Sequence, residues 1–222
     1  MPIRLLKTLV FACCLLPLGY YAWGVWEDTL GANPIEAVTR GFGTWTLNLL
    51  LLTLAVTPLR KLSGWHVVGR LRRMLGLFTF FYAALHLTTY LWFDQFFDWQ
   101  EIAKDILKRP FITVGMAAFV LLVPLAATSS HAAIRWLGGR RWQELHRAVY
   151  AIAILAVLHY SWLVKADQAQ PLLYGGVLAG LLGIRFWWRE QERRAQLAGK
   201  YAPKAPLPKG RTIPIVPLTP RR

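Results

Sequence analysis

Two of the five histidines sit where an ionisable side chain is expensive. His86 lies in the apolar run RRMLGLFTFFYAALHLTTYL (Arg72 to Leu91), and His159 in ELHRAVYAIAILAVLHYSWLVK (Glu144 to Lys165). Both runs can cross a bilayer, and titratable residues inside such runs usually face a functional interior. Counted from Leu75 and Ala148, each imidazole lies 11 residues along its run, about 16 Å at 1.5 Å per residue. If the two runs cross in the same direction, the rings share one depth. Two neutral imidazoles so placed can clamp a planar metal cofactor, and axial ligation of haem iron fits that arrangement. The bland alternative is two unrelated histidines, each donating to a backbone carbonyl where helices touch.

His146 precedes His159 by 13 residues on what reads as one helix, about 20 Å along the axis and about 140° around it. The two cannot serve one iron, so His146 marks a second level near one membrane face. The matching level on the other run is Arg73, with Arg72 beside it. Guanidinium is a poor metal ligand but a good partner for propionates or a flavin phosphate. The competing reading is a His and two Arg that reach to the lipid headgroups. His66 and His131 have no partner at ligand spacing and read as solvated or interfacial.

These residues need apolar helices to carry them, and the composition supplies such helices. The chain has 222 residues, 55% apolar and 17% charged, against about 25% charged in an ordinary soluble domain. The apolar residues fall in six blocks, near Thr8 to Trp26, Thr44 to Pro58, Met74 to Phe93, Phe111 to Ala127, His146 to Leu163 and Pro171 to Trp188. The expected fold is therefore an all-α integral membrane protein, a six-helix transmembrane bundle. Pro17 and Pro124 fall inside helices, which a bundle tolerates when neighbours satisfy the freed backbone groups. Gly176-xxx-Gly180 would let another helix approach closely. The first block has a loose signal-peptide look, with Ala22-Trp23-Gly24 at its end, but Tyr20, Tyr21, Trp23 and Trp26 read better as an interfacial anchor.

Most of the 26 Lys and Arg fall on one side when alternate connections are assigned to opposite faces. Arg4, Lys7, Arg60, Lys61, Arg70, Arg135, Arg140, Arg141 and Arg147 share that side with the basic C-terminal residues. Most of the acidic residues, from Glu27 to Asp167, fall on the other. The positive-inside rule then makes both termini cytoplasmic, and the net charge of +15 calls for no nucleic acid. Residues 1–190 read as the membrane domain. Residues 191–222 are basic and Pro-rich, from Pro203 to Pro220, and read as a mobile cytoplasmic tail. Cys13 and Cys14 are the only cysteines, so zinc spacing and disulfide scaffolds are excluded. No G-x-G-x-x-G phosphate loop occurs.

The two histidine runs, together with NPIEAVTRGFGTWTL (Asn33 to Leu47), resemble the ferric-reductase-like transmembrane proteins, and within them the MsrQ (YedZ) family. The resemblance covers roughly residues 5 to 190. It implies a multi-pass protein of the bacterial inner membrane that carries b-type haem and FMN. Electrons would come from the quinone pool or a cytoplasmic flavin reductase and pass to a periplasmic molybdopterin-containing MsrP-like subunit, which reduces methionine sulfoxide in oxidised proteins. His86, His146 and His159 match the family's haem-associated histidines. Larger relatives carry a second His on the third helix, where this chain has Arg72 and Arg73. The resemblance makes the chain an electron-transfer subunit and not the sulfoxide-reducing subunit. Two other readings stand beside it: a ferric or quinone reductase with another acceptor, and a His-relay proton channel or transporter.

Overall fold

The computed structural model describes residues 3–164 and 167–201, and among these all regular structure is helical. In chain order the helices are α1 (Ile3–Trp26), α2 (Pro34–Ser63), α3 (Arg72–Thr89), α4 (Trp99–Lys108), α5 (Pro110–Ala127), α6 (His131–Leu137), α7 (Gly139–His146), α8 (Ala148–Leu163) and α9 (Ala169–Tyr201). A 3₁₀ turn, His66–Leu71, leads into α3, and a π turn, Tyr90–Asp94, follows it. Five segments are long and apolar enough to cross a membrane: Ile3–Trp26, Pro34–Ser63, His66–Asp94, Pro110–Ala127 and Ala169–Ala198. The chain is thus an all-helical, multi-pass membrane protein. At 16 residues, α8 is apolar throughout but shorter than the roughly 20 residues of an upright crossing. Lys165 and the Pro-rich segment from residue 202 onward lie outside the described residues.

The described residues divide into two units after Arg185. In the second, Glu190 pairs with Arg194 at 2.9 Å and Arg193 at 3.8 Å.

Local chemistry places the start of α2 ten residues earlier than the apolar block that begins at Thr44. Asn33 caps the helix, its Oδ1 accepting from the Glu36 N–H at 3.1 Å, and Pro34 fills the first turn where no N–H partner is needed. Glu36 then pairs with Arg40 one turn on, at 2.5 Å. The stretch from Pro34 to Gly43, outside the expected apolar block, is therefore helix. At the other end Gly64 adopts φ 68°, a left-handed conformation that glycine accepts without strain, and its N–H closes on the Arg60 carbonyl.

Helices α2 and α3 pack along each other, and so do α5 and α8. One apolar core joins α1, α2 and α3 through Phe42, Leu49, Leu75 and Phe78. A second joins α2, α5, α8 and α9 through Leu50, Leu122, Ile152 and Leu178. Tyr82, fully buried on α3, ties into α1 beside Pro17. Its hydroxyl donates to the Cys14 carbonyl at 2.7 Å and accepts from the Leu18 N–H at 3.1 Å. One hydroxyl is inserted into the helical rung between residues 14 and 18, so both backbone groups stay satisfied.

On α9, the Tyr174 hydroxyl donates to Asn48 Oδ1 on α2 at 2.8 Å, and Arg185 donates to the Tyr150 hydroxyl at 2.8 Å and to the Leu54 carbonyl. A Cβ on Gly176 or Gly180 would meet no neighbouring atom within 4 Å, so no helix crowds those positions; a Cβ on Gly175 would lie 3.8 Å from Val157 Cγ1.

The expected single helix from His146 to Leu163 is divided at Arg147. The reason is a change of character. The segment GRRWQELH is polar and amphipathic, suited to an interface, whereas α8 is apolar all round. The Arg147 N–H is shared between the Gln143 and Glu144 carbonyls at 3.1 and 3.2 Å, a tightened turn. Arg147 keeps right-handed helical angles, φ −67° and ψ −20°, so the backbone passes from α7 into α8 without leaving the helical region.

Candidate functional site

His86, near the end of α3, donates from Nδ1 to the Thr39 carbonyl of α2 at 2.8 Å. His159 on α8 donates from Nδ1 to the Phe111 carbonyl of α5 at 2.7 Å. A carbonyl can only accept, so in both rings the proton sits on Nδ1 and the lone pair on Nε2. The two imidazole centres are 6.1 Å apart with their planes at 74°. The sequence offered two readings, a shared metal group or separate donors to backbone carbonyls. The donation to carbonyls occurs in both rings, and since it uses only Nδ1 it leaves each Nε2 for another partner.

Both rings line a cavity of about 650 Å³ with Leu47, Leu50, Ala83, Phe119 and Ile152. That volume is cofactor-sized, and the wall also carries polar side chains, among them Glu36, Arg40, Tyr90 and Arg109. Two imidazoles bound end-on to one metal ion, at about 2 Å per metal–nitrogen bond, hold their ring centres about 6 Å apart. The Thr39 hydroxyl oxygen, on the same wall, is buried without a hydrogen-bond partner. Among the described residues no three His, Cys, Asp or Glu gather to hold a metal ion. A metal between these rings would take its remaining ligands from a cofactor, and the residues present fit a haem.

His146 stands apart from this cavity. It ends α7, donates from Nδ1 to the Trp142 carbonyl at 3.0 Å, and stacks on the Trp142 ring at 4.0 Å and 27°. Trp142 is itself held, its Nε1 donating to the Thr128 carbonyl at 2.9 Å. His146 Nε2 is buried without a hydrogen-bond partner. Arg72 is near enough to act on His146 electrostatically; Arg72 and Arg73 are both exposed at the start of α3. His66 and His131 are exposed, as expected.

Residues 42–157 match the family model described as "Ferric reductase like transmembrane component". Proteins from three bacteria are similar over most of the chain, each called "Protein-methionine-sulfoxide reductase heme-binding subunit MsrQ". The one from Azospira oryzae is 65% identical over 85% of this chain and 79% of its own length. Those from Herminiimonas arsenicoxydans and Rhodospirillum rubrum are 55% and 54% identical, covering 89% and 86% of this chain and 92% of each relative. The chain belongs to the MsrQ family.

The ferric-reductase-like match runs from α2 into α8 and takes in His86 and His146; His159 lies just beyond its end. Four positions of this MsrQ-family chain were not singled out by type or spacing. They are the carbonyl-bearing Thr39 and Phe111, and Gly43 and Gly115, which lie against the two rings. The Asn33-Pro34-x-Glu36 helix start could have shown that Thr39 and Gly43 are helical. Nothing in the sequence marks Phe111 or Gly115.

Proposed function

We propose that this MsrQ-family chain is a haem-binding electron-transfer subunit for the reduction of protein methionine sulfoxide, with His86 and His159 as axial ligands of one b-type haem. The observation that carries the reading is the 6.1 Å pairing of two rings whose Nδ1 protons are both held by carbonyls. When bound, the haem supplies a one-electron carrier within the membrane. Thr39 and Phe111 fix the tautomer and direction of the ligating rings and raise their basicity. Leu47, Leu50 and Ile152 give the site an apolar side.

In this reading α8 is the sixth crossing, continued at its start by the helical backbone of Arg147 at φ −67°, ψ −20°. By the positive-inside rule, the basic residues beside α2, α3, α7 and α8 support cytoplasmic termini in a bacterial inner membrane. Residues 1–190 form the haem domain and 191–222 the basic cytoplasmic tail. His146, with Arg72 and Arg73, forms an inner level that holds an anionic cofactor group, either haem propionates or the phosphate of FMN. The two guanidinium groups, both exposed at the start of α3 with Arg72 near enough to act on His146, support that assignment. Electrons enter from the quinone pool or a cytoplasmic flavin reductase. They leave to a periplasmic molybdopterin-containing MsrP-like subunit, where the sulfoxide is reduced.

The test is a reduced-minus-oxidised spectrum of the purified protein beside His86→Ala and His159→Ala. Each variant is expected to lose the same low-spin b-type signal. Survival of that signal undisturbed in either correctly inserted variant refutes the pairing.

A further inference from the structure

The two histidines are seated by the same device, built twice. On α2 the Thr39 carbonyl receives the His86 Nδ1–H, and four residues on stands Gly43. On α5 the Phe111 carbonyl receives the His159 Nδ1–H, and four residues on stands Gly115. The chain separations from carbonyl to histidine are 47 and 48 residues. In an α-helix the carbonyl of residue i already accepts from the N–H of residue i+4. Its second lone pair is normally screened by the side chain at i+4, because Cβ points back along the helix toward that carbonyl. With glycine at i+4 the screen is absent, and an imidazole from the neighbouring helix can reach the carbonyl.

The clearance is small in both seats. A Cβ on Gly43 would lie 3.1 Å from His86 Cε1 and 3.2 Å from Nδ1. A Cβ on Gly115 would lie 2.7 Å from His159 Nδ1 and 2.9 Å from Cε1. Neither ring can yield freely, since its Nδ1 is already bound. By contrast, Gly19 meets nothing within 4 Å.

We infer that Gly43 and Gly115 are positioning residues that set the attitude of the two histidine rings, and through them the electronic properties of the metal group held between. This rests on the reading that His86 and His159 ligate one haem iron. A methyl at either position tilts the ring off its carbonyl. The imidazole then loses the hydrogen bond that makes it a stronger donor, the oxidised iron is less stabilised, and the midpoint potential rises. The effect is larger at Gly115, where the collision is closer.

The experiment compares Gly115→Ala, Gly43→Ala and the control Gly19→Ala in the full-length purified protein. It reads haem content, the low-spin EPR signal and the midpoint potential. The expected result is a positive shift and an altered low-spin signal in the order Gly115→Ala, then Gly43→Ala, with Gly19→Ala like the parent. Parent-like potential and EPR in Gly115→Ala overturn the inference, even if the variant is less stable, because a packing role alone predicts only that loss. If Gly115→Ala does not insert, the double variant with His159→Gly decides. Removing the colliding ring should restore insertion, and a double variant that still fails shows that the collision is elsewhere. Loss of signal in His159→Ala alongside parent-like Gly115→Ala refutes the seat but keeps the ligand. Survival of the signal in His159→Ala refutes ligand and seat together.

Discussion

Removing the Tyr82 hydroxyl by Tyr82→Phe separates the energetics of the bundle from its redox site. The hydroxyl makes two hydrogen bonds, 2.7 Å to the Cys14 carbonyl and 3.1 Å from the Leu18 N–H, and the residue is fully buried. If α1 straightens and residues 14 and 18 close their own rung, the net loss is about one hydrogen bond, ~0.5–1.5 kcal/mol. If Pro17 holds the rung open, two buried backbone groups lose their partner, at ~1–3 kcal/mol each. Hydrogen bonds between membrane helices sit low in these ranges, at about 0.6 kcal/mol on average. A loss of ~1–3 kcal/mol is therefore expected. Reversible unfolding of the purified protein in mixed micelles, followed by helical circular dichroism, measures it. Tyr82 does not line the cavity between the histidines, so haem content and spectrum per folded protein should not change. A variant as stable as the parent would show that the inserted hydroxyl does not support α1. A haem signal that disappears while the fold persists would show that the two regions are coupled.

Two further outcomes test the proposed orientation and the inner level. With Cys13 and Cys14 replaced, a single cysteine at the exposed Ser63 should react with an impermeant thiol reagent only from the cytoplasmic side, and one at the exposed Gln100 only from the periplasm. The reverse pattern refutes the topology and the direction of electron entry. The double variant Arg72→Gln/Arg73→Gln should keep the spectrum dependent on His86 and His159 but lose cofactor occupancy at the inner level and reduce slowly. Unchanged cofactor content and reduction rate, in a variant whose insertion is confirmed by the same labelling, would leave the arginines as headgroup anchors.

Much of the site was legible in the chain because membrane burial makes polar residues conspicuous. His86 and His159 stand out against apolar runs, and their equal depth follows from counting residues at a constant helical rise. The spans and the charge asymmetry were legible for the same reason: the bilayer sets the length and connections carry the charge. Helix ends were less so. The apolar block begins near Thr44, whereas capping at Asn33 and the Glu36–Arg40 pair extend α2 ten residues earlier. The block reading also ran α7 into α8, since a turn at Arg147 with near-helical angles leaves no Gly or Pro to announce it.

What only the tertiary structure decided is the seat of each ring. The groups that hold His86 and His159 are two backbone carbonyls and two missing side chains, and neither has a residue type that signals its role. Every helix carries a carbonyl at every position. Which of them is reachable depends on the pairing of α2 with α3 and of α5 with α8, across 47 and 48 residues of chain. The same holds for Tyr82, whose hydroxyl completes a rung of a helix 64 residues away. A sequence names the side chains that can do chemistry. The packing of helices selects the backbone groups that aim them.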